Sequence, residues 1–295
     1  MLKKLVLSVL VGAGLLLVSC GGQAEEKVVQ EPKKELKIVS STVAATQVMD
    51  KLDLDLVGIP TTKSTLPERY KDVKAVGQSF EPNFEVITSL TPDLLVIDSN
   101  FKDKFEEQSN KYGINTFYFD TTSFSNFKES IKKLGVETEK EEEANKLADE
   151  LQTSVDDVLK IKEKTGKTPS VAVLFGTSES FMLATDKSYV GDLLDTIGVK
   201  NVTDDVESVD SAYLNFSMEQ ILKMNPDYIL RLSHGDLETS KKAFDDAFSK
   251  DPAWKSLDAT KNGNVVDLDP TIFGVSANLK VTEAIKQLGN IVYGE

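Results

Sequence analysis

The only histidine of the chain, His234, lies in the stretch 231–236, which reads RLSHGD. A neutral imidazole nitrogen can coordinate a metal ion, and the ring can also carry a proton in catalysis near neutral pH. Catalysis would require an identifiable nucleophile within hydrogen-bonding reach. The adjacent Ser233 is poorly placed for that role, because neighbouring side chains on extended backbone point to opposite sides. His234 is therefore first a candidate ligand-binding residue.

Several catalytic motifs are absent from the sequence. It contains no G-x-S-x-G elbow, no H-E-x-x-H pair and no G-x-x-x-x-G-K-[ST] loop. A zinc or manganese site made of protein ligands typically uses several histidines, and this chain has one. With 48 acidic and 34 basic residues the formal net charge is −14, which disfavours nucleic-acid binding. We therefore predict a binding protein and not an enzyme.

The first 35 residues have the pattern of an export signal followed by a tether. Lys3 and Lys4 precede an apolar run over 5–18, and the small residues before Cys20 fit a lipoprotein cleavage site. We predict a signal peptide over 1–19, then a lipidated Cys20 with a polar tether, over 20–35. The alternative is an ordinary signal peptide followed by an unmodified cysteine. Because Cys20 is the only cysteine, no internal disulfide can support the fold.

A strand that runs directly into a helix is predicted around residue 41. Residues 36–41, LKIVSS, have the apolar character of a short strand, and the following TVAATQVMDKL has the pattern of a helix capped by Ser41 or Thr42. Such a junction presents free backbone N–H groups that can hold an anion. The alternative is that these two side chains only cap the helix.

Two segments of the chain resemble each other at an offset of 134 residues. Residues 85–97 read EVITSLTPDLLVI and residues 219–231 read EQILKMNPDYILR, so Glu85 matches Glu219 and both segments carry a Pro-Asp pair. Each predicts a short helix, a turn and a buried parallel strand. A repeat spaced by about half the chain indicates two similarly built α/β lobes.

The segment between the two halves predicts one long helix. Over 138–164, apolar residues recur at helical spacing without Gly or Pro. We predict an N-terminal lobe over 36–136, a connecting helix over 137–166 and a C-terminal lobe over 167–295. The fold class is α/β, with two Rossmann-like lobes joined by one long α-helix and a ligand cleft between the lobes. His234 follows the strand of the second repeat, where open parallel sheets bind ligands, and Asn100 takes the matching place in the first.

The chain resembles the haem-binding lipoproteins of the IsdE type, within the helical-backbone (class III) family of solute-binding proteins of ABC importers. The resemblance covers most of the chain and rests on five stretches: STVAATQVMDKLDLDLVGIPTT (41–62), TLPERYKDVKAVGQ (65–78), EPNFE (81–85), LATDKSYVGDLL (183–194) and ILRLSHG (229–235). It implies a monomeric, lipid-anchored receptor on a Gram-positive-type surface. Such a receptor binds haem in the cleft, accepts it from surface donor proteins and delivers it to a permease.

The resemblance also implies roles for individual residues. His234 matches the axial ligand of the haem iron, while Thr42, Val43 and Ala44 match the helix start whose N–H groups meet a haem propionate. Lys63 lies near the basic residue that faces a propionate, although the registers differ by one. The lobe-tip carboxylates that dock on permease arginines match Glu85 and Glu219.

The chain departs from the family at the second axial ligand. The family commonly has a methionine in a Gly-Gln-x-Met-Glu-Pro-Asn segment, and this chain has Phe80 there. Phenylalanine can pack on the porphyrin but cannot bind iron, so five-coordinate iron, a water ligand or a substitute remain open. The candidates for a substitute are Met182 first, and then Met49 or Tyr189, which could also contact the ligand.

A ferric siderophore or a corrinoid is the alternative ligand within the same class of importer. A siderophore chelate already satisfies its iron, so its cleft would use Arg, Tyr and Trp and not an axial histidine. The single tryptophan, Trp254, has the context of a helix-packing residue.

Overall fold

The computed structural model of the chain describes residues 36–177, 180–206 and 210–294. The predicted signal peptide, Cys20 and the tether lie outside these residues. Over the described ranges, no helix has both the length and the apolar character needed to cross a bilayer.

The N-terminal lobe is built on a five-stranded, fully parallel sheet of order β3-β2-β1-β6-β7. Its strands, together with a small β4–β5 hairpin, are β1 (Ile38–Ser40), β2 (Leu56–Ile59), β3 (Lys74–Ala75), β4 (Gly77–Gln78), β5 (Glu81–Pro82), β6 (Leu94–Asp98) and β7 (Thr116–Phe119). Its helices are α1 (Val43–Lys51), α2 (Phe84–Ser89), α3 (Lys102–Lys111) and α4 (Phe124–Glu137). Central strands such as β6 are buried on both faces, as expected for a parallel sheet.

The C-terminal lobe follows a connecting helix, α5 (Glu141–Thr165), and has a mixed sheet. Its strands are β8 (Ser170–Gly176), β9 (Phe181–Ala184), β10 (Lys200–Asn201), β11 (Tyr213–Leu214), β12 (Tyr228–Ser233) and β13 (Val265–Asp267). Its helices are α6 (Tyr189–Thr196), α7 (Met218–Met224), α8 (Leu237–Lys250), α9 (Pro252–Ser256), α10 (Asp258–Lys261) and α11 (Val281–Tyr293). The sheet order is β11-β9-β8-β12-β13, with β10 beside the start of β8. Because β9 and β11 run antiparallel, this lobe departs from the purely parallel pattern of the first.

The repeat detected in the sequence is confirmed as a structural repeat. The helix–turn–strand units are α2 with β6 and α7 with β12. In the first lobe, the Asp93 carboxylate accepts a hydrogen bond from the backbone N–H of Lys37 at 3.0 Å. In the second lobe, Asp227 accepts one from the N–H of Ser170 at 2.8 Å. The aspartate of each Pro-Asp turn thus anchors the beginning of its lobe's first strand.

Helix α5 connects the lobes and packs against α4 near its beginning, at Ala144, and against α11 nearer its end, at Val158. It begins at Glu141, four residues after the predicted start at 137, because α4 ends at Glu137 and Glu139 turns the chain with a positive φ of 56°. A Cβ on Gly135 of α4 would stand 2.3 Å from the Cβ of Ala144 on α5, and one on Gly289 of α11 would stand 2.7 Å from Val158. Both helices therefore approach α5 at distances that only glycine permits.

The main hydrophobic core is continuous across both lobes. One cluster of buried side chains includes β1 and α1 of the first lobe, α5, and α6 and α11 of the second. Two smaller clusters fill the remaining side of each sheet. Residues from 36 onward form one compact unit that contains both lobes.

Candidate functional site

His234 is the first residue after β12, at the carboxyl end of the second sheet. Its backbone N–H donates to the carbonyl oxygen of Gly176 at 2.9 Å, and its carbonyl oxygen accepts from Ser240 Oγ at 2.9 Å. The residue is exposed, and its ring centroid lies 5.1 Å from that of Phe175. The backbone of His234 is thus tied to β8 and α8, while the residue remains accessible.

Aromatic and sulfur-containing side chains adjoin the histidine. The Phe175 ring contacts both His234 and, at 4.3 Å between centroids, Tyr213 of β11. Met182 of β9 pairs with Phe175 across the sheet and is half-buried. Burial raises the pKa of the Tyr213 phenol, so the group stays protonated at neutral pH. Sequence analysis missed Tyr213, because its two-residue strand has no periodic pattern.

The start of α1 keeps its N–H groups free of a side-chain cap. Thr42 occupies the N-cap position with extended backbone, but its side chain makes no capping hydrogen bond. The Ser41 hydroxyl donates instead to the carbonyl oxygen of Val96 at 3.1 Å. The predicted strand-to-helix junction is confirmed, with Thr42 and not Ser41 at the N-cap position, but neither hydroxyl caps the helix. An uncapped helix start favours an anion.

A pocket of about 540 Å³ opens in front of this helix start and is lined from both lobes. Val43, Ala44 and Lys63 line it from the N-terminal lobe, and the segment from Pro270 to Lys280 lines it from the C-terminal lobe. Three residues predicted as propionate contacts are thereby brought together. The volume is in the range of pockets that hold small organic ligands.

Two predicted substitutes for the iron ligand lie in the core. Met49 is fully buried in α1. Tyr189, the first residue of α6, is only 2% exposed, and its hydroxyl has no hydrogen-bond partner in the structure. Burial raises the pKa of this phenol, which keeps it neutral. These positions argue against the direct ligand contacts that the sequence suggested for both residues.

Phe80 lies at the tip of the β4–β5 hairpin of the N-terminal lobe. Its side chain is 50% exposed, and the Lys104 amine donates to its carbonyl oxygen at 2.6 Å. An apolar ring so open to solvent is available to pack against a ligand or a partner.

Both arginines of the chain are engaged with carboxylates. Arg69 contacts Asp53 at 2.6 Å and Asp55 at 2.7 Å. Arg231 contacts Asp267 at 2.5 Å and Asp245 at 2.9 Å. Among the residues that the structure describes, no group of three or more His, Cys, Asp or Glu could hold a metal ion. Cationic contacts in the pocket are therefore made by lysine.

Glu85 and Glu219 occupy equivalent places in the two lobes. Each is exposed and is the second residue of its short helix, α2 or α7. Asn83 caps α2 through hydrogen bonds of 3.1 Å to two backbone N–H groups, and Ser217 caps α7 in a capping box with Gln220. The caps fix where each carboxylate projects from its lobe.

Two α/β lobes, one connecting helix and a pocket lined from both sides define a solute-binding protein of the two-lobed type. The sequence matches the periplasmic binding protein family over residues 38–272, and the chain belongs to that family. It is a substrate-binding protein of an ABC importer, not an enzyme.

Four matches, two of them to IsdE, extend over nearly the whole length of the matched protein. The high-affinity heme uptake system protein IsdE of Staphylococcus aureus (strain MRSA252) is 36% identical over 287 residues, which cover 97% of each chain. The crystal structure of S. aureus IsdE complexed with heme matches at a TM-score of 0.75 and 38% identity, over 88% of this chain and 100% of that one. An ABC transporter substrate-binding protein from Listeria monocytogenes EGD-e matches at a TM-score of 0.79 and 37% identity, over 89% and 100%. The crystal structure of S. aureus SirA complexed with staphyloferrin B matches at a TM-score of 0.70 and 28% identity, over 89% of this chain and 94% of that one.

Proposed function

We propose that the protein binds haem in the cleft between its lobes and delivers it to the permease of an ABC importer. The observation that carries the proposal is the exposed His234 at the carboxyl end of β12, beside Phe175. The similarity to a relative whose structure contains heme supports it. Haem is here the cargo and not a resident cofactor.

Each part of the cleft would meet a different part of the haem. His234 would coordinate the iron through a neutral imidazole nitrogen. The half-buried Tyr213, whose ring packs on the buried Phe175, would supply an aromatic contact for the porphyrin. The uncapped start of α1, with Thr42, Val43 and Ala44, and the amine of Lys63 would bind a propionate.

For the second axial position we propose Met182, with a water ligand or five-coordinate iron as the alternatives. Phe80 has no lone pair for iron, and Met49 and Tyr189 are buried. Met182 lies on the strand next to Phe175, which itself contacts His234. A thioether there is a suitable haem ligand.

A haemin titration tests the proposal. Residues 21–295 would be titrated with haemin and followed by absorbance, in parallel with His234→Ala. We expect a saturable Soret band at one haem per protein, which is lost or shifted in the variant. A wild-type titration identical to that of an unrelated acidic protein would refute haem binding.

Substitution of methionines separates the axial possibilities. Met182→Leu retains volume but removes the sulfur, and Met224→Leu in the same lobe is the matched control. If Met182 ligates iron, only the first variant changes the visible bands from six- to five-coordinate. Unchanged bands in both variants would assign the position to solvent or leave the iron five-coordinate.

We further propose that Glu85 and Glu219 dock on cationic residues of the permease. Their exposure and matched helix positions support this assignment. Glu85→Arg and Glu219→Arg should each reduce haem uptake, or stimulation of transporter ATPase activity, without changing haem affinity. Glu238→Arg is the control, because Glu238 is the exposed second residue of α8. Equal effects of all three variants would contradict a specific docking role.

The proposed location is outside the cytoplasm, with a lipid on Cys20 and 20–35 as a tether. Metabolic labelling with a palmitate analogue tests this location. We expect label on the wild-type chain and none on Cys20→Ala. Labelling of both forms would refute modification at Cys20. A monomer that accepts haem from surface donor proteins completes the proposal.

A ferric siderophore is the second candidate, because SirA is similar and lysines line the pocket. Against it, both arginines are paired within their own lobes, and Trp254 is buried and stacked on Phe248 at 4.4 Å. Tyr213, which lies beside Phe175, has a phenol of the kind that would suit such a chelate. Quenching of protein fluorescence by ferric siderophores, without a response to haemin, would favour this candidate.

A further inference from the structure

The inter-lobe pocket contains a second lysine, Lys280, which comes from the C-terminal lobe, whereas Lys63 comes from the N-terminal lobe. Its lining residues include these two lysines and no aspartate or glutamate. This composition is unusual in a chain with 48 acidic and 34 basic residues. Neither lysine forms an ion pair within the described ranges. The pocket is therefore positively charged on two walls that belong to different lobes.

The position of Lys280 is fixed by the segment that precedes α11. Its amine donates to the carbonyl oxygen of Thr271 at 2.6 Å, and its backbone N–H donates to Asn278 Oδ1 at 2.8 Å. The N–H of Ala277 donates to the carbonyl oxygen of Thr121 at 2.8 Å, which ties the segment to the N-terminal lobe. Lys280 is thus held at the pocket wall before any ligand arrives, with amine hydrogens left to donate.

One carboxylate near Lys280 has its own partner. Asp269 lies close enough to interact electrostatically with Lys280, but its Oδ1 accepts the Thr271 N–H at 2.8 Å. That backbone hydrogen bond, followed by the Thr271 side chain, holds the pKa of Asp269 below its ordinary value. Asp269 therefore stays ionised and moderates the charge of Lys280 without forming an ion pair with it.

We propose that Lys280 binds a second carboxylate of the ligand and that the pocket selects dicarboxylates. The proposal rests on the proposed function, in which haem brings two propionates. One propionate would lie at Lys63 and the start of α1, and the other at Lys280. A ligand bound in this way would bridge the two lobes through its two charges, whereas a monocarboxylate would contact one lobe. Lys280 is thus a specificity-determining residue.

Iron-free protoporphyrin IX and its dimethyl ester test the proposal without involving His234. Residues 21–295 would be titrated with each compound by porphyrin fluorescence, and with haemin by absorbance. Lys280→Gln should lower the affinity for protoporphyrin and for haemin about tenfold, as expected for the loss of one charged contact. The affinity for the dimethyl ester should not change. Lys280→Arg should restore most of the affinity. Lys286→Gln, at an exposed position further along α11, is the matched control.

The outcomes separate this inference from the proposed function. If haemin binds and Lys280→Gln binds it as tightly as wild type, the role of Lys280 is refuted and haem binding stands. If Lys280→Gln lowers the affinity for the dimethyl ester as much as that for protoporphyrin IX, Lys280 acts through packing and its assignment to a carboxylate is overturned. If wild type binds neither protoporphyrin nor haemin, both proposals fail.

Discussion

The ion pairs of Arg231 permit a quantitative test of how β12, the strand that ends just before His234, is stabilised. The Arg231 side chain is 10% exposed and forms a two-pronged contact with Asp267 of β13, at 2.5 and 2.8 Å. Its guanidinium carbon also lies 5.4 Å from the ring centroids of Phe244 and Phe248. The two partner aspartates differ in exposure, 37% for Asp267 and 56% for Asp245. A buried cation therefore faces carboxylates that water can reach.

This asymmetry predicts which partner is more costly to remove. Asp267→Ala leaves the guanidinium buried with Asp245 as its remaining close partner. Breaking a fully buried pair costs about 3–5 kcal/mol, and the partial exposure of Asp267 reduces this to about 2–3 kcal/mol. Arg231→Met leaves an aspartate that solvent can hydrate and keeps an apolar stem between the rings, so we expect about 1–2 kcal/mol. Asp245→Ala should cost less than about 1 kcal/mol.

Thermal and urea unfolding of the three variants would measure these differences. For a chain of this size, 1 kcal/mol lowers Tm by about 2–4 °C, so Asp267→Ala should melt about 4–12 °C below wild type. The double variant Arg231→Met with Asp267→Ala should lose less than the sum of the single losses. The reasoning is refuted if Arg231→Met is at least as destabilising as Asp267→Ala, because the cost would then lie in packing and not in an unpaired charge.

Three further predictions concern other parts of the fold. Gly135→Ala should destabilise by about 2–3 kcal/mol, despite the better helix propensity of alanine, because the new Cβ would stand 2.3 Å from that of Ala144. Asn83→Ala should cost about 1 kcal/mol in urea unfolding through loss of the α2 cap. Asp192 accepts the Phe124 N–H at 2.6 Å, and burial raises its pKa, so its protonated form is favoured in the folded state. The protonated carboxyl therefore stabilises the fold at acid pH, and this contribution is lost as the pH rises through the raised pKa. The free energy of unfolding of wild type, relative to that of Asp192→Asn, should fall from acid to neutral pH.

Each of these predictions has a control within the same element or a neighbouring one. Ser125→Ala on α4 and Asn110→Ala on α3 are exposed and should change the free energy of unfolding by less than about 0.5 kcal/mol. Asp195→Asn, at an exposed position of the same helix α6, is the control for Asp192→Asn. A Gly135→Ala variant more stable than wild type would contradict the close approach. If the free energy of unfolding of wild type relative to Asp192→Asn rises with pH, the predicted direction of the pH dependence is wrong.

Much of the architecture follows from local sequence patterns. The Pro-Asp pairs predict a turn in both repeats, because proline and aspartate favour turns. In the structure the aspartate of each pair also binds the backbone at the start of a strand. The uninterrupted apolar spacing before Gly166 predicts α5, whose end has the left-handed glycine cap. The predicted position of His234 just after β12 is confirmed for the same reason, since a buried apolar run marks the strand.

The tertiary features were beyond the reach of sequence reasoning. Lys280 and Lys63 are more than 200 residues apart, and no local pattern indicates that they share a pocket. Tyr189 is of a residue type that often contacts ligands, but the packing of α6 against its neighbours buries it in the core. Ser41 has the sequence context of a helix cap, yet its hydroxyl is captured by Val96 on the neighbouring strand β6. Competition between local and cross-strand partners cannot be judged from spacing alone.

The glycine contacts of α5 have a consequence for biosensor engineering. Because α4 and α11 approach the same helix so closely, we expect the lobes to change their relative orientation little. Fluorophores attached one to each lobe should then report a small change in energy transfer on loading. If the cargo is haem, as proposed, a reporter dye placed at the rim of the cleft, where haem would quench it, should give the larger signal. Conversely, Gly135→Ala and Gly289→Ala would loosen these contacts and widen the dynamic range of a distance-based sensor at the expense of thermal tolerance.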